Sequence, residues 1–290
     1  MSPSIASVRR SGIVGCLLIG LTAAQVAAQA PPKKPAPQST QPARGPIEDN
    51  SFLIEEAYNQ EAGVVQHISA FALQRATRAW AYAFTQEWPF FSQRHQLSYT
   101  VPIISAGRGT GSGVGDVALN YRYQLATGPR AVAPRLSLLV PSGDERRERG
   151  AGAAGLQVNL PVSLEHSSRF VTHWNAGATL IPSAKDAIGN EATTRSYNAG
   201  GSIIWLAQSA LNFMLEVVWA SDEAVSGPSQ RVRERSLFIA PGMRGAIDFP
   251  SGLQIVPGIG VPIGIGPSRG ERGLFLYLSF EHPFSKRARP

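Results

Sequence analysis

One cysteine, charged residues at 16%, and the absence of any apolar run long enough for a membrane-spanning helix are the first things this 290-residue chain shows. Each shortage excludes something. A single cysteine, Cys16, cannot support a disulfide framework, and its place in the first thirty residues removes thiol chemistry from the mature chain. The helical spacing of apolar residues at i, i+3 and i+4 does not persist anywhere beyond Gly63, which argues against a helical domain. The histidines at 67, 95, 166, 173 and 282 are scattered, without a His-Glu-x-x-His metal motif, and nothing calls for a cofactor or a metal. The net charge of +7 is spread over loops and tails without interleaved aromatics, so nucleic acid is not an expected partner. Basic residues near lipid headgroups are the more ordinary reading.

What is abundant is turn chemistry, with 29 glycines and 22 prolines, as in an all-β chain of many short segments. Arg9 and Arg10 followed by the apolar stretch 13–24 read as an export signal, with cleavage after Ala28 favoured by small Val26 and Ala28. Residues 29–50 are a Pro-rich linker. Residues 51–63 form a short segment, apolar and acidic together, that leads into the barrel. Its composition around Phe52, Glu55 and Glu56 suits one or two turns of helix, and its role is open.

From residue 64 to 284 a period of two dominates. Val117, Leu119, Tyr121, Tyr123 and Leu125 alternate with Ala118, Asn120, Arg122 and Gln124. A strand places these sets on opposite faces. The same alternation runs through 156–164 and 211–219, with weaker versions elsewhere. It predicts about twelve strands, at 64–73, 80–88, 94–104, 116–125, 133–140, 155–164, 170–180, 194–206, 211–220, 235–248, 253–263 and 273–282. Connections alternate as well, short ones at 89–93, 126–132, 165–169, 207–210 and 249–252 against longer ones at 105–115, 141–154, 181–193, 221–234 and 264–272, with the first external loop, 74–79, a short exception. That rhythm belongs to an antiparallel up-and-down transmembrane β-barrel of the bacterial outer membrane. An even strand count returns both termini to the periplasm. A basic tail, 285–290, follows the aromatic close at Phe284.

Aromatics at strand ends, among them Trp80, Trp88, Tyr99, Tyr121, Tyr123, Trp174, Tyr197, Trp205, Trp219 and Phe280, suit girdles at the two membrane interfaces. With the apolar faces toward lipid, the opposite faces form the lumen. Its candidate lining is Glu87, Gln96, Asn120, Arg122, Gln124, Arg135, Gln157, Asn159, His173, Asn175, Asn198, Asn212, Glu216, Arg244, Gln254 and Glu281. These residues are mixed in sign, which leaves two readings: they pair with one another and close the lumen, or they line a path for a small solute.

Two strings resemble catalytic motifs only superficially. Gly266-Pro-Ser-Arg-Gly270 matches Gly-x-Ser-x-Gly without the strand-to-helix turn of a nucleophile elbow, and is expected to be a turn. His166-Ser-Ser168 lacks the rest of a barrel-lipase signature. The chain reads as no enzyme.

Gly113-Val-Gly-Asp-Val-Ala-Leu-Asn-Tyr-Arg-Tyr123, followed after a short turn by Pro134-Arg-Leu-Ser-Leu-Leu-Val-Pro-Ser-Gly143, resembles the outer-membrane family named for the MetA pathway of phenol degradation. The Gly-x-Gly-Asp strand start and the Leu-x-Pro-Ser-Gly strand end carry the likeness. That resemblance implies a passive channel or uptake barrel for small molecules, hydrophobic or aromatic ones included. A non-transporting structural or assembly-related barrel is the alternative. Expected partners are outer-membrane lipid and lipopolysaccharide, the barrel-assembly machinery during biogenesis, and a small-molecule solute.

Overall fold

The computed structural model describes residues 51–283, so the expected signal peptide and linker, Phe284 and the basic tail lie outside the described residues. Twelve long strands form one continuous sheet: β1 (Val64–Gln74), β2 (Trp80–Phe90), β3 (Ser92–Ser105), β4 (Val117–Tyr123), β5 (Arg135–Val140), β6 (Gly155–Ser167), β7 (Phe170–Lys185), β8 (Glu191–Gln208), β9 (Leu211–Gly227), β10 (Gln230–Gly245), β11 (Gln254–Gly260) and β12 (Gly273–Pro283). Each pairs antiparallel with its neighbours in chain order. The sheet closes where β12 pairs with β1 along its whole length, from Val64↔Pro283 to Gln74↔Gly273. Closure leaves no free edge, so every strand can satisfy its backbone inside a bilayer. The β10–β11 pairing is the shortest, three residue pairs from Gly242↔Gly260 to Arg244↔Gly258, continued by Ile263–Gly264 against Phe238 and Ile239.

Side chains alternate as the sequence pattern requires. Leu119, Leu136, Leu138, Leu156, Val158, Leu160, Leu215 and Val217 face outward and are exposed, as are Trp174, Trp205 and Trp219. An exposed apolar belt around a closed sheet is the signature of contact with lipid rather than water. The inward set is buried and splits by side. Its apolar members gather on β8 to β12, β1 and β2, where Met214, Val218, Ile204, Phe238, Val256, Phe275 and Ile68 form one cluster beside buried polar groups such as Glu216, Arg244 and Gln66. On β3 to β7 it is mainly polar.

Several expectations change. Residues 51–61 form no helix: they run irregularly inside the barrel, and residues 51–60 are buried. Local propensity is overridden because wall residues far away in sequence supply the hydrogen-bond partners that helix formation would otherwise provide. The connections expected at 181–193 and 221–234 are mostly strand, with β9 and β10 paired as far as Gly227↔Gln230. Beyond the apolar belt both sheet faces meet polar surroundings, so no hydrophobic alternation marks the continuing strands. The strand expected at 253–263 stops at Gly260, and the one expected at 235–248 stops at Gly245. The Gly-x-Ser-x-Gly string is a turn of 3-10 helix whose buried Ser268 accepts a hydrogen bond from Leu237 N at 3.2 Å, clasping this loop to β10. His166 bonds Thr172 across a hairpin.

The two ends of the Gly113 to Gly143 motif meet in space. Asp116 accepts hydrogen bonds from Gly143 N (3.0 Å) and Ala151 N (2.7 Å). Ser142 Oγ accepts from Val117 N and donates to the carbonyl of Gly115, each at 2.9 Å. Burial pushes the Asp116 carboxyl up from its ordinary range, with these backbone donors opposing the shift. The motif therefore works as a clasp that folds the loop after β5 back onto the start of β4.

Candidate functional site: the occupied barrel interior

The barrel interior is crossed by the segment that precedes β1. It reaches from the ends of β3 and β4 to the apolar wall at β9 to β12, and its chemistry changes along the way. At one end, Gln60 N donates to Gln96 Oε1 (2.6 Å) and Asn59 N to Gln124 Oε1 (2.7 Å). Gln124 Nε2 returns a bond to the carbonyl of Ala57 (2.6 Å), and Ala57 N donates to Ser163 Oγ (2.8 Å). Tyr58 donates its hydroxyl hydrogen to Glu165 at 2.9 Å. These bonds meet the requirement that irregular buried backbone find partners.

Glu55 and Glu56 lie at the middle, against the cations of the wall. Glu55 accepts from Arg135 Nε at 3.0 Å, lies 3.5 Å from Arg122 Nη1, and accepts from Asn159. Its backbone is gripped by Asn175, which accepts from Glu55 N (2.7 Å) and donates to Glu55 O (2.8 Å). Arg122 also donates to Asn59 Oδ1 (2.9 Å), to the carbonyl of Glu56 (3.2 Å) and to that of Tyr58. Glu56 Oε1 faces His173 Nε2 at 3.5 Å and Arg244 Nη2 at 3.8 Å. Two buried carboxylates of the segment thus sit among three arginines and a histidine. Such charges survive burial only because they are paired and further hydrogen-bonded.

The far end is apolar. Phe52 packs its ring on Phe275 and Tyr277, with centroids 5.4 and 5.7 Å apart. Three glycines make the recess for it. A Cβ added at Gly242, Gly258 or Gly260 would stand 2.6, 2.5 or 3.0 Å from that ring. Gly200 gives Ile54 the same room, at 2.6 Å. Glu216 stands within this apolar wall and accepts hydrogen bonds from Leu53 N (2.9 Å) and Ile54 N (3.2 Å), while Ser51 bonds Ser202 at 2.7 Å.

Of the sixteen lining candidates, Gln96, Arg122, Gln124, Arg135, Asn159, His173, Asn175, Glu216 and Arg244 touch the segment directly. Glu87, Asn120 and Gln157 are buried behind them: Gln96 donates to Glu87, while Arg135 donates to Asn120 and to Gln157. Asn212 is also buried. Asn198 is only part-buried, Gln254 donates to Asp248, and Glu281 accepts from Gln66. Sequence reasoning missed the segment as occupant, together with Ser163, Ser202 and the glycine recess. One signal was available: Arg122, Arg135 and Arg244 on inward faces of a barrel preceded by a segment bearing Glu55 and Glu56.

The fold is shared with solved proteins. An outer-membrane channel from Pseudomonas putida F1 is similar at a TM-score of 0.60 and 12% identity, over 78% of this chain and 97% of that one. The chain shares the closed β-barrel fold of that protein. A NanC porin is similar at a TM-score of 0.51 and 10% identity, over 74% of this chain and 98% of that one. No protein-family model matches the chain, and no curated protein matches it in sequence.

Proposed function

We propose that the protein is a passive channel of the bacterial outer membrane for small molecules, and that residues 51–60 set the width of its conduit. The observation that carries this reading is the composition of the interior. A closed barrel encloses one mainly polar wall and one mainly apolar wall, and the space between them is crossed by a segment held through side-chain contacts and joined to the barrel covalently at only one described end. An interior of two characters suits a solute with an apolar body and a polar handle. The likeness to the MetA-pathway family points the same way, toward hydrophobic or aromatic cargo. In this reading both termini are periplasmic, the apolar belt meets outer-membrane lipid and lipopolysaccharide, and the barrel-assembly machinery inserts the chain.

The test compares the mature protein with a variant lacking residues 51–60 in planar bilayers and in liposome swelling. Small conductance steps are expected for the full chain and several-fold larger ones for the deletion, with swelling by small aromatic solutes. A barrel that stays sealed in both forms would exclude a channel and leave the closed, non-transporting alternative.

A further inference from the structure

On the outside of the barrel, at the seam between the first and last strands, two imidazoles point at each other. His67 on β1 and His282 on β12 are diagonal neighbours, since His67 pairs with Phe280 and His282 with Val65. The inward positions beside them are taken by buried Gln66, Ile68 and Ser279, which puts both rings on the outer face. Their Nε2 atoms are 3.3 Å apart, the rings are 19° from coplanar, and the centroids lie 5.3 Å apart. Phe84 stacks on the far side of His67, 6.1 Å between centroids, and fixes that ring's plane.

We infer that His67 and His282 form a two-histidine site for a borderline divalent cation such as Zn²⁺, clamping the first strand of the barrel to the last. Zinc–imidazole bonds of about 2.0–2.1 Å meeting at a tetrahedral angle require nitrogens about 3.3 Å apart, the separation found. Near-coplanar rings let both lone pairs aim at one point. Without metal, one Nε2–H donates to the other nitrogen; metal binding moves that proton to Nδ1 of its own ring, so both Nε2 lone pairs are free and no proton need be released. Among the described residues no group of three His, Cys, Asp or Glu could hold a metal, so the remaining positions fall to water oxygens. The pair lies toward the strand ends, His67 fourth in β1 and His282 second from last in β12. It is independent of the interior segment and of any transport.

The test uses the tag-free mature protein refolded in detergent, titrated calorimetrically with ZnCl₂ and separately with CuCl₂ for electron paramagnetic resonance. One Zn²⁺ per barrel is expected, with at least about a tenfold loss of affinity in His67→Asn and in His282→Asn and no change in the control His166→Asn. Zinc should also raise the unfolding temperature of the wild type and of the control equally, and that of the two seam variants less. The Cu²⁺ spectrum of the wild type should show two equivalent nitrogens, a readout that stands even where a variant fails to fold. Absence of binding by the wild type, equal affinity in the His67→Asn/His282→Asn double variant, or a spectrum without two nitrogens would overturn the site.

Discussion

The two walls of the barrel interior hold the same segment by different physics. On β3 to β7 the grip is directional: amides and guanidinium groups meet Glu55, Asn59 and Gln60 at hydrogen-bonding distance. On β8 to β12 the grip is mainly one of shape, an aromatic ring seated over glycines, with Glu216 catching two backbone N–H groups and Arg244 facing Glu56. The polar grip fails abruptly when one partner is removed, because a buried charge is left uncompensated. The apolar grip fails gradually with lost area or added bulk.

Four changes would break or sharpen that contrast. The largest effect is expected from Glu55→Ala, which strands Arg122 and Arg135 and should weaken docking of the segment by about 3–5 kcal/mol. Protease cleavage between residues 51 and 61 and a rise in single-channel conductance would report it; unchanged protection would mean that the charges contribute nothing to docking. Gly258→Ala comes next, with overpacking against Phe52 costing about 1–3 kcal/mol. Here the segment should loosen at its apolar end alone, seen as faster hydrogen exchange at Phe52 and Leu53 than at Gln60. Glu216→Gln keeps the acceptor oxygen and removes the charge, so a loss of about 1 kcal/mol is expected. A loss as large as that of Glu55→Ala would show that the walls do not differ in kind. The smallest effect belongs to Ser268→Ala, which removes the part-buried bond to Leu237 N and should lower barrel stability by about 0.5 kcal/mol without altering protection of the segment.

The sequence made the wall legible and left its contents hidden, for a physical reason. Alternation at Val117 to Tyr123 records which face meets an apolar phase, a local property of the strand. Docking of residues 51–60 depends on partners such as Asn175 and Glu216, more than a hundred positions away, and leaves no periodic trace. Strand extension past Ala220 was hidden in the same way, since Glu223 pairs with both Arg231 and Arg233 across the sheet where the belt ends. Thirteen of the sixteen inward candidates are buried, because inward direction follows from parity alone. Asn198, Gln254 and Glu281 are only part-buried.

Between Glu61 and the first strand lies Gly63, at φ 78°, in a turn closed by Val64 N donating to Glu61 O at 3.1 Å. A segment tethered at that turn cannot diffuse away. Its ten residues reach at most about 36 Å even when fully extended, so the docking groups stay near their wall at an effective concentration of millimolar order. Reclosure is then a first-order event whose rate does not depend on how many barrels the membrane holds. A solute competing for the glycine recess would have to outbid a neighbour that never leaves.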